Sequence, residues 1–356
     1  MATSTHLPFQ PIRSSLYTAF ELMDGFDIAN PMSIKSLPDF QTYVYFVSNG
    51  KATPDDPYAG MMEALHDNSI LQAMFSFLEE MAKPTAAIMG GHKVKRDSEV
   101  YSQITRLAKT LTERGFLLAS GGGPGAMEAT HLGAVLHGQS SKELDDAIAH
   151  LRGEPELPDS RKIVDSQGQI NDTLVAAIHK WAKPAVELIQ KIDSPARSLA
   201  VPTWYYGHEP MTPLATHVAK YFQNSIREDV LLALAGNGIV FAPGRAGTVQ
   251  EIFQDAAQNY YHEANVPFSP MVFFDADGFW TKTLPVEKLL KSLFALNKQE
   301  EDFKKKVLFS KDIDQIAEFL TAQNSTKETT LNAFRALGMG KQLMSAKLKS
   351  PALSSN

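Results

Sequence analysis

Short apolar runs alternate with stretches of helical spacing along most of the chain from Pro84 onward. Five of these runs have no polar face, which predicts buried strands. They are Thr85–Met89, Phe116–Ala119, Ser198–Trp204, Gly238–Ala242 and Pro270–Phe274. Buried strands that alternate with helices are typical of a parallel sheet covered on both sides. The expected fold is therefore α/β, a Rossmann-like parallel sheet with helices on both faces.

Helical spacing predicts the elements that connect these strands. After the first strand, an amphipathic helix is expected between a cap at Asp97 and an end at Gly115. The other helices of this region are expected at Ala126 to about Leu136, Leu214–Leu234, Thr248–Tyr261, Val286–Leu296 and Asp312–Thr321. The domain that carries the sheet is therefore expected to span residues 84–322.

Residues 1–83 precede this alternation and have a different pattern. Ser14–Met23 and Tyr58–Met81 have helical spacing, and Gln41–Val47 is a candidate strand. No motif with chemical meaning stands out in this region. We therefore expect a helical N-terminal extension that packs on the core or on a partner subunit.

Two further segments interrupt or follow the sheet domain. Residues at about 138–197 form an expected helical insertion with helices at Ser140–Leu151 and Asp172–Lys191, the second kinked at Pro184. Residues 323–356 are polar and form an expected C-terminal tail. Neither segment contains a recognisable site.

Composition narrows the possible partners. The chain has 356 residues and a formal net charge of −6, so no global basic field attracts nucleic acid or anionic membranes. It has no cysteine, which excludes disulfides and cysteine nucleophiles and fits a reducing compartment. No signal-peptide pattern is present at the start, and no apolar run approaches the roughly 18–20 residues of a membrane span. We expect a cytoplasmic protein that binds neither nucleic acid nor membrane.

Three glycine-rich turns follow predicted strands: Gly90–His92, Gly121–Gly125 and Gly244–Gly247. Ligands of parallel sheets bind beyond the carboxyl ends of the strands, so these turns are expected to converge on one crevice. The second turn is not a convincing dinucleotide fingerprint, because the acidic residue expected about 20 residues later is missing from a strand end. Four glycines in five residues nevertheless exceed what a tight turn needs, which favours ligand contact.

Residues 243–251 read Pro-Gly-Arg-Ala-Gly-Thr-Val-Gln-Glu and carry the most informative pattern. A strand ends in a glycine-punctuated turn, and a helix expected to begin at Thr248 aims free amides and a positive dipole end at one spot. Glu251 would then lie in the first helical turn. Two interpretations stay open: a capping box in which Glu251 reaches back to the backbone, or a carboxylate held beside a bound phosphate.

Other candidate residues also have a functional and a structural interpretation. Arg227 lies among acids on the preceding helix, where an arginine usually forms a solvated ion pair. His92 either contacts phosphate or ends a strand. Residues Trp204–Tyr206 either stack on a base or pack in the core. His208 and Glu209 do not form a zinc motif, since no second histidine follows at the required spacing.

Together these blocks resemble the LOG-like family, the cytokinin-activating "lonely guy" phosphoribohydrolases once mislabelled lysine decarboxylases. The family carries a Gly-Gly-Gly turn followed by Gly-x-Met, which Gly121–Met127 matches. It also carries an Arg ahead of Pro-Gly-Gly-x-Gly-Thr-x-x-Glu, which is similar to Arg227 and Pro243–Glu251. The longer bacterial nucleotide 5′-monophosphate nucleosidases look most similar, through Gly90–His92, Gly123–Ala129 and Glu209–Leu214. The resemblance covers about residues 84–322 without the insertion.

This resemblance implies hydrolysis of the N-glycosidic bond of a nucleoside 5′-monophosphate to a free base and ribose 5-phosphate. It implies Arg227 and Glu251 as the catalytic pair, with no metal or other cofactor. It also implies a small-molecule nucleotide substrate and a homo-oligomer, a dimer or larger. The phosphate- and substrate-binding residues that it implies are Gly244, Arg245, Ala246, Gly247, Thr248, Gly121, Gly122, Gly123, Gly125, Met127, Glu128, Gly90, Gly91 and His92.

One residue departs from the family pattern, because Arg245 replaces the second glycine of the loop. If that position requires positive φ, the arginine costs about 1 kcal/mol or more. Its side chain would stand near the phosphate, where it either adds a charge-assisted contact or fills the site. The alternative hypothesis is therefore a non-catalytic nucleotide or molybdenum-cofactor carrier, or a nucleotide sensor, on the same scaffold.

Overall fold

One parallel sheet organises the residues that the computed structural model describes, 7–206, 212–261 and 268–323. Its strands are β1 (Thr85–Met89), β2 (Leu117–Ser120), β3 (Ser198–Ala200), β4 (His217–Val218), β5 (Ile239–Phe241), β6 (Met271–Phe274) and β7 (Val307–Ser310). They lie in the order β4-β3-β2-β1-β5-β6-β7, and every neighbouring pair is parallel. The expected α/β class, with a Rossmann-like parallel sheet, is confirmed.

Helices connect the strands and build the N-terminal region. They are α1 (Ala19–Leu22), α2 (Pro38–Ser48), α3 (Pro57–Met81), α4 (Glu99–Glu113), α5 (Ala126–Val135), α6 (Ser141–Leu151), α7 (Asp172–Ile189), α8 (Asn224–Leu234), α9 (Ala246–Tyr260), α10 (Glu287–Leu296), α11 (Glu300–Lys306) and α12 (Ile313–Thr321). Short 3-10 segments lie at Pro31–Ser36 and Ala276–Gly278, and one turn of π-helix covers Phe279–Thr283.

The strand order reverses beside β1. The chain places β2, β3 and β4 on one side of β1 and then returns to place β5, β6 and β7 on the other side. At such a reversal the two adjoining loops leave a crevice beyond the carboxyl ends of their strands. Here those loops follow β1 and β5 and begin at Gly90 and Ala242. The topology therefore opens a crevice where two of the glycine-rich turns lie.

Two apolar layers cover the sheet, because successive strand residues point to opposite faces. Ala86 and Ile88 of β1 pack in a layer with residues of α4, α5, α6 and α12. Ala87 and Met89 pack in the opposite layer, with residues of α2, α3, α8 and α9. Since α2 and α3 belong to the N-terminal extension, that extension packs on the core and completes one face of the sheet.

The extension also fixes the start of α8. The two carboxylate oxygens of Asp67, on α3, accept hydrogen bonds from Phe222 N at 2.9 Å and Gln223 N at 2.8 Å. Gln223 is the N-cap residue of α8, and its own side chain makes no capping bond. Asp67 therefore supplies the capping carboxylate from another helix. The N-terminal region in this way positions the helix that carries Arg227.

Three expectations for individual elements are wrong. Gln41–Val47 lies inside α2 instead of forming a strand, because its buried aromatic residues follow helical spacing from the proline at the helix start. Ser14–Met23 is helical only over Ala19–Leu22. Ser98 caps α4 in place of Asp97, since its Oγ accepts a hydrogen bond from Tyr101 N at 3.2 Å.

The sequence pattern does not predict two of the strands, β4 and β7. Leu214–Leu234 was expected to be mostly helical, yet it contains β4 ahead of α8. β4 pairs with β3 over only two residues, which is too short to show a period. β7 follows the lysine-rich end of α11 and is only partly buried, so it lacks the fully apolar run of the central strands.

Some expectations fall outside the described residues. These are the part of Glu209–Leu214 within residues 207–211, together with the His208–Glu209 pair, and residues 324–356 of the tail. Within the three described ranges, no helix combines the length and the apolar content needed to cross a bilayer.

Candidate active site

The three glycine-rich turns meet at the carboxyl edge of the central strands. Gly91 N donates to Pro243 O at 3.1 Å, and Gly91 O accepts from Ala126 N at 3.2 Å. The turn after β1 therefore bridges the other two. Gly90 is needed for this closeness, because a Cβ there would lie 2.8 Å from the Ala242 Cβ. These contacts bring the three turns together at one edge of the sheet, as expected.

Two helices begin at these turns without a side-chain cap. Arg245 is the N-cap residue of α9 and Gly125 that of α5, and neither makes a side-chain hydrogen bond to its helix. In contrast, Ser98 caps α4 and Ser140 caps α6. The first-turn amides of an uncapped helix, with the positive end of its dipole, attract an anion. The start of α9 is therefore suited to a phosphate group.

The observed start of α9 corrects two expectations. The helix begins at Ala246 rather than at Thr248, so Glu251 lies in the second helical turn. Thr248 is not the N-cap residue, and the capping-box interpretation of Glu251 is therefore wrong. Thr248 instead folds its side chain over Gly244, where a Cβ would lie 2.1 Å from Thr248 Oγ1. The loop needs glycine at this position because the threonine occupies the space.

The loop accommodates Arg245 without backbone strain. The residue has φ −117° and ψ −149°, so its φ lies outside the left-handed region that favours glycine. The expected cost of replacing the family glycine is therefore absent. The side chains of Arg245 and Ala246 are exposed. A Cβ at Gly247 would meet nothing within 4 Å, so there is open space above the first turn of α9.

Arg227 is buried rather than solvated, with 8% of its surface exposed. Its Nε donates to Val201 O at 2.9 Å, and its Nη1 donates to Glu228 Oε1 at 2.7 Å. Its Nη2 lies against Gly121, where a Cβ would be only 2.3 Å away. Gly121 therefore provides space for the guanidinium, and the second glycine-rich turn fits against α8.

Glu251 lies across the crevice from this guanidinium. Its Oε1 is 4.0 Å from Arg227 Nη1, and its side chain keeps 13% of its surface exposed. Burial raises the pKa of Glu251 to about 7, against the lowering effect of Arg227 and with a smaller raising effect of Glu228. A carboxylate with a pKa near neutrality exchanges its proton at physiological pH, as a general acid or base must.

Glu228 belongs to the same cluster, although the sequence interpretation did not single it out. Its Oε1 accepts the hydrogen bond from Arg227, and its Oε2 is buried with no hydrogen-bond partner among residues 7–206, 212–261 and 268–323. Neighbouring residues on a helix normally point in different directions, so adjacency to Arg227 was a weak signal. The structure therefore adds a second buried carboxylate beside Arg227.

Glu128 has a different role from the substrate contact that the family resemblance implies. It is fully buried, and its two oxygens accept from Arg96 Nη2 and Nε, both at 2.7 Å. Tyr101 Oη also donates to it at 3.0 Å. Because these bonds occupy the carboxylate, it is engaged in holding α5 to the segment before α4.

The remaining expected site residues line the turns. Gly122 and Gly125 have φ of +75° and +72°, and a Cβ at Gly125 would lie 2.5 Å from Gly91 O. The buried Gly123 lies between them. Met127 places its sulfur against Gly121, 2.6 Å from the position of a Cβ there. His92 is exposed at the end of the first turn.

The aromatic residues after β3 divide between the core and the surface. Trp204 is buried and donates from Nε1 to Asp39 Oδ1 at 2.9 Å, so it belongs to the core. Tyr205 and Tyr206 are exposed. Tyr206 Oη accepts from Asn224 Nδ2 at 2.8 Å, which holds it at the start of α8. The rings of Tyr205 and Tyr206 pack edge to face, with their centroids 5.3 Å apart, so the two exposed rings contact each other.

A scan with protein-family models and a search of curated proteins gave no match for this chain. What the crevice does is therefore inferred from its residues and their geometry.

Proposed function

We propose that this protein hydrolyses the N-glycosidic bond of nucleoside 5′-monophosphates to a free base and ribose 5-phosphate. The proposal depends on one observation above all: Arg227 and Glu251 lie 4.0 Å apart beside the uncapped start of α9. The LOG-like pattern marks the same two residues as its catalytic pair. We propose membership of that family on this basis.

In this proposal the start of α9 holds the 5′-phosphate. Backbone amides of Ala246, Gly247 and Thr248 face the phosphate oxygens, and Arg245 adds a positive charge at the rim. The phosphate takes no part in bond breaking, so its binding energy serves to hold the sugar against Glu251. A nucleoside without phosphate should therefore be a poor substrate.

Glu251 acts at the anomeric carbon. Cleavage of the C1′–N bond passes through an oxocarbenium-like transition state that carries positive charge on the sugar. The carboxylate stabilises this charge and accepts a proton from the attacking water, whose oxygen bonds to C1′. Arg227 stabilises the negative charge that develops on the departing base nitrogen. That nitrogen takes up a proton from solvent, and Glu251 returns the proton of the attacking water to solvent.

The direct test is a panel of AMP, GMP, CMP, UMP and IMP, with chromatographic identification of base and ribose 5-phosphate. We expect equimolar products from at least one of them. Glu251→Gln should lower the rate by about 100–1,000-fold, as expected for loss of a preorganised group. Asp229→Asn, an exposed carboxylate on α8, is the matched control and should retain the rate.

Two results would contradict the proposal. One is the absence of cleavage with the whole panel. The other is a Glu251→Gln variant as fast as wild type. Nucleotide binding without turnover, detected by thermal shift, would favour a carrier or a sensor on the same scaffold.

We further propose a cytoplasmic homo-oligomer, a dimer or larger. The absence of cysteine fits a reducing compartment. Tyr58, Met61 and Leu65 form an exposed apolar stripe at helical spacing on α3, of the kind that a second copy would cover. Light scattering tests this, and a monomer at concentrations where the protein is active would contradict it.

A further inference from the structure

Arg227 lies between two glutamates but bonds to only one of them. Its Nη1 is 2.7 Å from Glu228 Oε1 and 4.0 Å from Glu251 Oε1. The two side chains are similarly buried, at 11% and 13% exposed. A difference in solvation therefore does not explain the choice. The preference comes from how the guanidinium is held.

The other contacts of the guanidinium limit its movement. Nε is bonded to Val201 O, and Nη2 is packed against Gly121. Glu228 supplies a third contact, a hydrogen bond at Nη1, the atom that lies 4.0 Å from Glu251 Oε1. In the described part of the chain, Glu228 Oε2 is buried without a hydrogen-bond partner, and Oε1 accepts from Asn224 only at 3.5 Å, so Arg227 is the main partner of its charge. The pair is thus mutually held, and Glu251 is left outside it.

The charged groups near Glu251 are few in the described structure. From α8 they are Arg227 and Glu228, which act on it with opposite sign. Asp229, the next residue of α8, is exposed and accepts from Gln254 of α9 at 2.6 Å. On α9 itself, Asp255 lies one turn beyond Glu251 and accepts from Ser269 Oγ at 3.2 Å.

We propose that Glu228 is a positioning residue: by binding Arg227, it prevents the guanidinium from closing onto Glu251. A direct ion pair with Arg227 would keep Glu251 ionised and make it a weak base. With the guanidinium held back, burial dominates, and the pKa of Glu251 is about 7. The inference rests on the proposed function, because it serves a Glu251 that accepts a proton from water.

The first test is the pH profile of kcat/KM for Glu228→Gln, which keeps the shape and removes the charge. The hydrogen bond that holds Arg227 Nη1 then loses its charge assistance, so the guanidinium can shift toward Glu251, and a like charge is lost. Both changes lower the pKa of Glu251, so the acid limb of the profile should move to lower pH by about one unit. A residue that acted only on folding would lower the rate without moving this limb.

Asp229→Asn is the matched control, because it removes the same charge from the adjacent position of α8. Its acid limb should coincide with that of wild type. If Glu228→Gln leaves the limb in place, or if Asp229→Asn moves it equally, the inference is wrong. Should Glu228→Gln fail to fold, Glu228→Asp withdraws the carboxylate and should move the limb in the same direction by a smaller amount.

A second measurement does not depend on turnover. The difference in the free energy of unfolding between wild type and Glu251→Gln, followed over pH, reports where Glu251 titrates in the folded state. In the Glu228→Gln background that transition should lie about one pH unit lower. An unchanged transition overturns the inference even if the protein is an active nucleosidase. A shifted transition in a protein without nucleosidase activity supports the inference about Glu228 and contradicts the proposed function.

Discussion

Two buried arginine–glutamate clusters lie in this protein, and they differ in how completely their charges are paired. Arg96 and Glu128 share two hydrogen bonds of 2.7 Å, and Arg96 Nη1 also donates to Glu154 O and Trp181 O. Arg227 has one hydrogen bond to Glu228 and stands 4.0 Å from Glu251. Among the described residues, Glu228 Oε2 has no hydrogen-bond partner.

The difference separates a structural cluster from a reactive one. A fully bonded ion pair has no capacity left for a ligand, and it ties together the segments that supply its partners. Arg96 in this way connects α5 with the insertion. Incompletely paired buried charges are costly to stability and are typical of sites that handle charge during a reaction. The contrast can be tested by breaking each cluster in turn.

Breaking the complete cluster should have the largest effect on stability. Arg96→Ala leaves Glu128 buried without its partner and also removes the guanidinium from the Trp181 ring, 4.1 Å away. Loss of one partner of a buried ion pair typically costs about 3–5 kcal/mol. The free energy of unfolding in urea measures this loss.

The matched control is Arg106→Ala, which breaks the exposed pair of Arg106 with Asp145. Exposed pairs contribute about 0–1 kcal/mol, so this variant should be nearly as stable as wild type. Equal losses in the two variants would show that the Arg96 cluster is not a structural centre.

Removing the charge of Glu251 from the incomplete cluster should stabilise the protein rather than destabilise it. The pKa of Glu251 is raised from 4.5 to about 7 in the folded protein, so folding favours its protonated form. The free energy of unfolding therefore decreases as pH rises from about 4.5 through 7. Below pH 4.5, Glu251 is protonated in both the folded and the unfolded state and does not affect stability. Glu251→Gln should accordingly stabilise the protein at pH 8 by on the order of 3 kcal/mol.

Urea unfolding of wild type and Glu251→Gln at pH 4 and pH 8 measures this difference. The two proteins should be similar at pH 4 and separate at pH 8. A variant that is less stable than wild type at pH 8 would show that Glu251 is a structural residue like Glu128.

The sequence predicted the central part of the fold well because five strands have no polar face. It did not predict β4 or β7, since a two-residue strand and a half-buried strand have no such pattern. At the site, the spacing of Arg227 and Pro243–Glu251 resembles a family motif, and the structure places Arg227 and Glu251 4.0 Å apart. Which glutamate binds Arg227 depends on a difference between 2.7 and 4.0 Å, which no spacing encodes.

The two glutamates next to the glycine-rich turns also show what residue spacing alone does not predict. Glu128 and Glu251 each follow such a turn, and the family resemblance implies a substrate contact for the first and a catalytic role for the second. Glu128 is instead paired with Arg96, a residue that helical or strand periodicity does not place near it. Burial and pairing, rather than residue type, therefore distinguish the two.

A smaller change should displace Arg227 without altering any charge. In Gly121→Ala the new methyl group meets Arg227 Nη2 and the Met127 sulfur, both at flexible ends of side chains. The guanidinium must then shift against its hydrogen bonds to Val201 O and Glu228 Oε1, so we expect some loss of stability together with a displaced guanidinium. We expect kcat/KM for nucleotide cleavage to fall about tenfold, equivalent to roughly 1.4 kcal/mol.

Gly153→Ala is the control, because the nearest atom to a Cβ there is His150 O at 3.8 Å. It should leave kcat/KM unchanged. A Gly121→Ala variant with normal kcat/KM would mean that the position of the guanidinium is unimportant for catalysis. The Arg227 cluster would then not differ in function from the Arg96 cluster.

The smallest expected effect concerns Arg245, an exposed arginine that belongs to neither cluster. If its charge assists phosphate binding, Arg245→Ala should raise KM about two- to fivefold, with kcat unchanged, and the difference should shrink as salt screens the charge. Arg245→Gly introduces the residue of the LOG-like pattern and should raise KM by the same factor, because a φ of −117° is not in the left-handed region that favours glycine. A glycine variant that outperforms the alanine variant would show that backbone conformation, rather than charge, matters at this position. Steady-state kinetics at two salt concentrations separates these outcomes.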